Sequence, residues 1–153
     1  MLITQQEVIN IVHNGQQEGK TYVVTNGCFD ILHVGHVRYL QKTKEFADYL
    51  IVMLNSDKSV KTIKGNDRPI NCEQDRAEIL SALSCVDYVV LFDEKSPAKL
   101  LEDIKPDVYT KGADYTLETL PERDIVIRNN IKVEFIEFVQ GKSTTNVIKK
   151  ING

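Results

Sequence analysis

A chain of 153 residues is long enough for one domain with a full core and too short for two, and 42% hydrophobic with 27% charged residues is the balance of a soluble globular protein. The formal net charge of -3 supplies no general positive field, which argues against partners such as nucleic acid or a membrane surface; an anionic ligand needs a local cluster of donors. Three cysteines, Cys28, Cys72 and Cys85, an odd count without CxxC spacing, argue against a disulfide framework or zinc ribbon, and without a signal-length or membrane-spanning apolar run the expected location is cytoplasmic.

TQQE (4–7) is a capping box and predicts a first helix that ends near Gly15. The β-branched run TYVVT (21–25) is a strand. From His33 to Phe46, Val34, Val37 and Leu40 fall at helical spacing, with Phe46 further on. YLIVML (49–54) is a second strand, and the polar stretch 56–71 after it reads as a connection long enough to be functional. NCEQ (71–74) opens a helix with Ile79, Leu80 and Leu83 on one face. VDYVVLF (86–92) is a third strand. SPAK (96–99) starts a helix, with Ser96 as N-cap and Pro97 at the first helical position. PDVYT (106–110) is a fourth strand, and Thr116 or Leu117 starts a further helix. KVEFIEF (132–138) alternates, Val133, Phe135 and Phe138 against Glu134 and Glu137 with one break in phase, and is expected at a sheet edge. STTNVIKKI (143–151) closes the chain as a helix.

The first four strands lack polar alternation, as strands buried on both faces of a parallel sheet do. Strands alternating with helices give an α/β fold. The expectation is a single domain over residues 1–153, doubly wound around a mainly parallel five-stranded sheet, with residues 1–20 as an N-terminal helical extension. Ligands of such a sheet bind outside the carboxyl ends of the strands, where strand order reverses. The segments to inspect are therefore 26–36, 55–71, 93–96, 111–116 and 139–145.

NGCFDILHVGH (26–36) follows the first strand. Asn26 and Gly27 allow a tight turn whose amides can face an anion, and Gly35 lets a bound group approach the backbone between His33 and His36. The pair could ligate a metal, act as acid and base, grip a phosphate or sit in the core. A zinc site needs further ligands, but the third histidine, His13, lies in the first helix and no cysteine pair is available; no metal site is expected. His36 in the first turn of a helix, beside unpaired amides and the positive end of the dipole, favours phosphate. GKSTT (141–145) ends like a Walker A loop, but the required first glycine is Ile136, so only a lysine, three hydroxyls and a helix start remain. Lys61, Lys64 and Arg68 in the second candidate segment are cations able to close over a polyphosphate. GxGxxG is absent, which disfavours a dinucleotide-dependent dehydrogenase.

GCFDILHVGH resembles the first signature of the HxGH nucleotidylyltransferases, and GKSTT resembles their second, G-x-S-T-T. The series LNSDKSVKTIKGNDRPI, DRAEILSALSCVDYVVLFDE and PDVYTKGADYT is similar to the D-glycero-β-D-manno-heptose 1-phosphate adenylyltransferase branch, over about residues 20–151. The resemblance implies a Rossmann-like fold and transfer of AMP from ATP, with Mg²⁺, to the sugar 1-phosphate, giving ADP-heptose and pyrophosphate. The kinase half sometimes fused to this branch is missing, so a stand-alone transferase is implied, with a homodimer as its assembly. Gln140 stands where members commonly carry Glu, and Lys142 where many carry an aromatic residue. Ser84 and Phe138 depart from the cytidylyltransferase pattern.

The resemblance implies catalytic roles for His33, His36, Lys64 and Arg76. Asn26, Gly27, Cys28, Phe29, Gly35, Lys61, Gly141, Ser143, Thr144 and Thr145 would bind the nucleotide. Asp30, Lys111, Asp114 and Tyr115 would face the acceptor. Alternatives are a sister transferase (glycerol-3-phosphate cytidylyltransferase, heptose guanylyltransferase or FAD-forming adenylyltransferase) and a non-catalytic nucleotide sensor. A class I tRNA synthetase fragment is disfavoured by length and by the absence of KMSKS.

Overall fold

A computed structural model describes residues 1–137 and 144–152, with only the backbone of Thr144. Its strands are β1 (Leu2–Ile3), β2 (Tyr22–Gly27), β3 (Tyr49–Asn55), β4 (Tyr88–Phe92), β5 (Val108–Gly112) and β6 (Lys132–Ile136). Its helices are α1 (Gln5–Gln17), α2 (Val34–Lys44), α3 (Asp57–Lys64), α4 (Glu73–Ser81), α5 (Ala98–Ile104), α6 (Arg123–Arg128) and α7 (Thr144–Asn152). The strands form one sheet in the order β1-β4-β3-β2-β5-β6, and the paired strands run parallel.

The sheet has six strands, a correction to the expected five. The extra strand, Leu2–Ile3, pairs with Val89 and Val90 of β4. Two residues directly ahead of the Thr4 cap are too few to form an apolar run, so only tertiary pairing defines this strand. The capping box behind it forms in both directions: Glu7 N donates to Thr4 Oγ1 and Thr4 N to Glu7 Oε1, each at 3.1 Å. Helix α1 continues past Gly15, where a Cβ would strike the Tyr22 hydroxyl end.

Alternation within each strand builds two cores, because successive side chains leave opposite faces. Val24, Ile51, Met53 and Tyr109 pack with Val8 and Val12 of α1 and with Leu100, Leu101 and Ile104 of α5. Val23, Leu50, Val52 and Leu54 pack with Tyr39 and Leu40 of α2 and with Ala77 and Leu80 of α4. The result is a doubly wound α/β domain. From β2, successive strands run outward on one side as β3 and β4, while β5 and β6 lie on the other. The order reverses between β2 and β5, and a crevice opens there. β6 is the far edge, as its alternation predicts.

Other differences have local causes. The polar stretch 56–71 is not all connection: residues 57–64 form α3, with Ser56 Oγ accepting from Ser59 N at 3.2 Å. Only Ser59 and Val60 of that helix are buried, so its apolar signal is thin. Helix α4 buries Leu80, but Ile79 is exposed. Ser96 Oγ does accept from Ala98 N at 3.2 Å, yet Pro97 occupies the cap position rather than the first turn. The helix expected at 116 or 117 begins at Arg123. Thr116 N donates to Thr119 Oγ1 at 2.8 Å, a side-chain bond that competes with helix formation.

Candidate active site

At the β2–β5 reversal lies a pocket of about 210 Å³, lined by Asn26, Gly27, Cys28, Phe29, His36, Tyr39, Lys64, Lys111, Gly112, Asp114 and Tyr115. Three of the five segments singled out from sequence, 26–36, 55–71 and 111–116, therefore meet in one place.

His33 and His36 close a reciprocal cap at the start of α2. Gly35 N donates to His33 Nδ1 at 3.1 Å, and His33 N donates to His36 Nδ1 at 3.3 Å. A nitrogen that accepts an amide proton carries none itself, so each neutral ring holds its proton on Nε2. The rings stack with centroids 3.8 Å apart and 24° between planes, and Phe29 meets His36 edge-on at 5.1 Å. Burial, then the charges of His33 and Lys64, lowers the His36 pKa from 6.5 to about 4. His36 is thus a neutral ring whose Nε2–H is a donor. Gly35 belongs to this cap. Gly27 makes room for Phe29, whose ring carbon would lie 2.8 Å from a Cβ added there.

The β5 side is built from polar contacts. Tyr109 donates to Asn26 Oδ1 at 2.6 Å, and Lys111 Nζ reaches the same oxygen at 3.5 Å. Lys111 Nζ also lies 4.9 Å above the Tyr115 ring, a cation–π distance. Burial, then the Glu122 carboxylate, raises the Tyr109 hydroxyl well above its usual pKa, so it stays a donor. Lys64 and Lys111 are the cations of the pocket wall, and Asp114 is exposed beside them.

Two expected contacts are corrected. Asp30 does not line the pocket. Its carboxylate is buried and accepts from Arg68 Nε at 2.8 Å and from the amides of Ile70 and Asn71 at 2.9 Å. Burial alone would raise its pKa, but those amides and the guanidinium outweigh it and hold the carboxyl below its ordinary value. Arg76 is likewise buried, with its donors spent on the protein. Both residues lack a free face for substrate because the segments around them are folded onto their polar atoms.

Lys61 lies on the exposed surface of α3, outside the pocket wall, and Thr145 is exposed on α7. Gly141 and Ser143 fall outside the described residues, as do Phe138, Gln140, Lys142 and the side chain of Thr144. Sequence reasoning missed Tyr39 and Gly112. Tyr39 is an apolar-face helix residue whose hydroxyl meets Thr25 Oγ1 at 2.9 Å and Thr110 Oγ1 at 3.2 Å. A polar end on a core-facing tyrosine was the one available signal. Among the described residues, no group of three or more His, Cys, Asp or Glu side chains gathers as metal ligands. No helix among them is long and apolar enough to cross a membrane.

The chain is 49% identical to the bifunctional protein HldE of Syntrophotalea carbinolica over 96% of its own length and 30% of that protein. It is 53% identical to the HldE of Geotalea uraniireducens over 92% of its length and 29% of that protein. For the HldE of Campylobacter fetus the identity is 49%, over 99% of this chain and 31% of that one. The chain thus spans under a third of the length of these relatives. Among solved structures, a lipopolysaccharide core biosynthesis protein from Thermoplasma volcanium aligns with TM-score 0.62 and 32% identity, over 79% of this chain and 98% of that one. Pantoate-beta-alanine ligase from Francisella tularensis shares the fold, with TM-score 0.69 at 17% identity over 98% of this chain and 72% of that one. The cytidylyltransferase-like family profile matches residues 24–150, and that match, on a histidine-capped helix at the reversal of a parallel sheet, makes this chain a member of the cytidylyltransferase-like family of nucleotidyltransferases.

Proposed function

We propose that the chain transfers AMP from ATP to D-glycero-β-D-manno-heptose 1-phosphate, releasing pyrophosphate and giving ADP-heptose, in the cytoplasm and as a homodimer. The observation that carries the reaction class is the His33–His36 pair, with both Nδ1 atoms capped and His36 sharing the pocket wall with Lys64 and Lys111. The heptose rests on the downstream motif series and on the relatives near 50% identity.

A phosphate oxygen of the sugar attacks the α-phosphorus. The new P–O bond forms as the bond to the bridging oxygen of pyrophosphate breaks, and pyrophosphate leaves with that electron pair. The nucleophile arrives as an anion, so no general base is required and a ring with its pKa near 4 suits the task. The work left to the protein is to bring two polyanions together and stabilise charge on the nonbridging oxygens. His33 and His36 donate to the triphosphate. Lys64 offsets phosphate charge from the β3 side, and Lys111 does so from the β5 side. Asp114 and Tyr115 face the sugar. Gly141, Ser143, Thr144 and Thr145 take the outer phosphates. ATP brings Mg²⁺ with it as part of the substrate, held mainly by phosphate oxygens.

The test is a panel: the full chain with Mg²⁺, the heptose 1-phosphate and each of ATP, CTP and GTP, read by pyrophosphate release and product mass. Turnover with ATP is expected. Turnover only with CTP or GTP moves the function to a sister transferase, and ATP binding without pyrophosphate release makes the chain a sensor. Sedimentation of the purified chain checks the dimer.

A further inference from the structure

Arg76 stands on α4, outside the pocket, with its side chain 0% exposed. Its guanidinium reaches four acceptors. Nε donates to the Asn71 carbonyl at 3.0 Å, and Nη1 to the carbonyls of Cys28 at 2.8 Å and Asn55 at 2.7 Å. Nη2 donates to Asp57 Oδ1 at 2.9 Å. The acceptors come from the segment after β2, the end of β3, the start of α3 and the approach to α4. A flat fork of fixed donors can gather them in one geometry, and a lysine cannot.

The contact with Cys28 has a consequence for the pocket. The Cys28–Phe29 peptide is trans, so a carbonyl turned toward Arg76 sends the following N–H the opposite way. That N–H belongs to Phe29, which sits at φ 46, a left-handed conformation that a bulky side chain rarely adopts. Such a conformation persists only where surrounding contacts over-determine it. Here the contacts are Arg76 on the carbonyl before it, the buried Asp30 carboxylate after it, and the ring packed over Gly27 and against His36. Cys28 and Phe29 both line the pocket. Among the described residues, no acceptor lies on the Phe29 N–H.

We infer that Arg76 is a positioning residue for phosphoryl transfer: by holding the Cys28 carbonyl it turns the Phe29 amide into the pocket as a fixed donor to an α-phosphoryl oxygen. The inference rests on the nucleotidyl-transfer reading for the identity of the anion. A donor aimed in advance at an oxygen that gains charge needs no reorganisation when the reaction occurs. Arg76 then acts at one remove, through a peptide bond, on the same charge that the histidines meet directly.

The test is Arg76→Lys in the full chain, with kcat expressed per folded molecule. Loss of a transition-state donor costs about 10²–10³-fold, and a misdirected one is expected to cost about 10- to 100-fold in kcat with both KM values unchanged. The preference between the two α-thio diastereomers of ATP should shrink toward unity, since it reports which nonbridging oxygen the protein grips. A change confined to KM or to thermal stability, with thio selectivity intact, overturns the proposal. A second measurement does not depend on the variant folding. In the wild type, the Phe29 amide proton should shift downfield in NMR spectra on adding α,β-methylene-ATP. An unmoved resonance overturns the proposal as well. Absence of pyrophosphate release by the wild type would count against the functional reading alone, and an unmoved Phe29 resonance would still overturn the inference about Arg76.

Discussion

The two walls of the pocket are built differently. On the β2 side, residues 26–36 are fastened from behind. Arg76 holds the Cys28 carbonyl, three donors hold Asp30, and each histidine caps the other's backbone. On the β5 side, beyond Asn26 and Lys111, the segment from Ala113 to Thr119 has few such ties. Asp114 is exposed, and Thr116 and Thr119 bond mainly to each other. A reaction common to many nucleotide transfers needs fixed donors, whereas the choice of acceptor can vary on a wall that tolerates change. On the proposed function, the wall with more ties would serve the chemistry and the looser wall the acceptor.

Substitutions can break that division. The largest effect is expected from Asp30→Ala. Stripping the partner from a buried charge costs about 3–5 kcal/mol, and it leaves Arg68 and two amides without their acceptor. Chemical denaturation should reveal it as a lowered midpoint. His36→Ala comes next. It should lower kcat about 10²–10³-fold, equal to about 2.7–4 kcal/mol of transition-state stabilisation, with a much smaller change in ATP affinity measured by calorimetry. Gly15→Ala, remote from the pocket, should cost about 1–3 kcal/mol in stability, because the Tyr22 ring must move, and leave kcat unchanged. The smallest effect belongs to the loose wall. Tyr115→Ala should raise KM for the sugar phosphate by roughly tenfold or less, in line with loss of one half-buried polar contact, with kcat and KM for ATP near wild type. An equal loss of kcat from Tyr115→Ala and His36→Ala would dissolve the distinction between the walls.

What could be read from sequence follows the same line. The histidine pair and its glycine lie close together in sequence at a predicted helix start, so the pair could be singled out before any fold, whereas its mutual capping could not. The parallel sheet was visible because four strands lack polar alternation. The roles of Asp30 and Arg76 were not, because their partners are backbone groups forty or so positions away or in other segments, and charge type alone suggests substrate contact. Strand β1 is two residues long and exists only through its pairing with β4. Helix α3 hides in a polar stretch that buries little. The start of α6 was displaced because the Thr116 and Thr119 side chains compete for the backbone that a helix would use.

The histidine cap also links the site to pH. The unfolded chain protonates His36 near its ordinary value of 6.5, while the folded chain resists until about 4. Between those values the unfolded state binds more protons. The stability contributed by neutral His36 is therefore complete above about pH 6.5 and is lost as pH falls toward 4. Protonation would also remove the Nδ1 acceptor that caps His33 N. The most direct test of the account is ¹⁵N NMR of the His36 ring at pH 6. A neutral ring protonated on Nε2, with Nδ1 bare, is the result expected. An imidazolium at that pH, or a proton on Nδ1, would contradict the claim that the fixed wall presents His36 as a neutral donor.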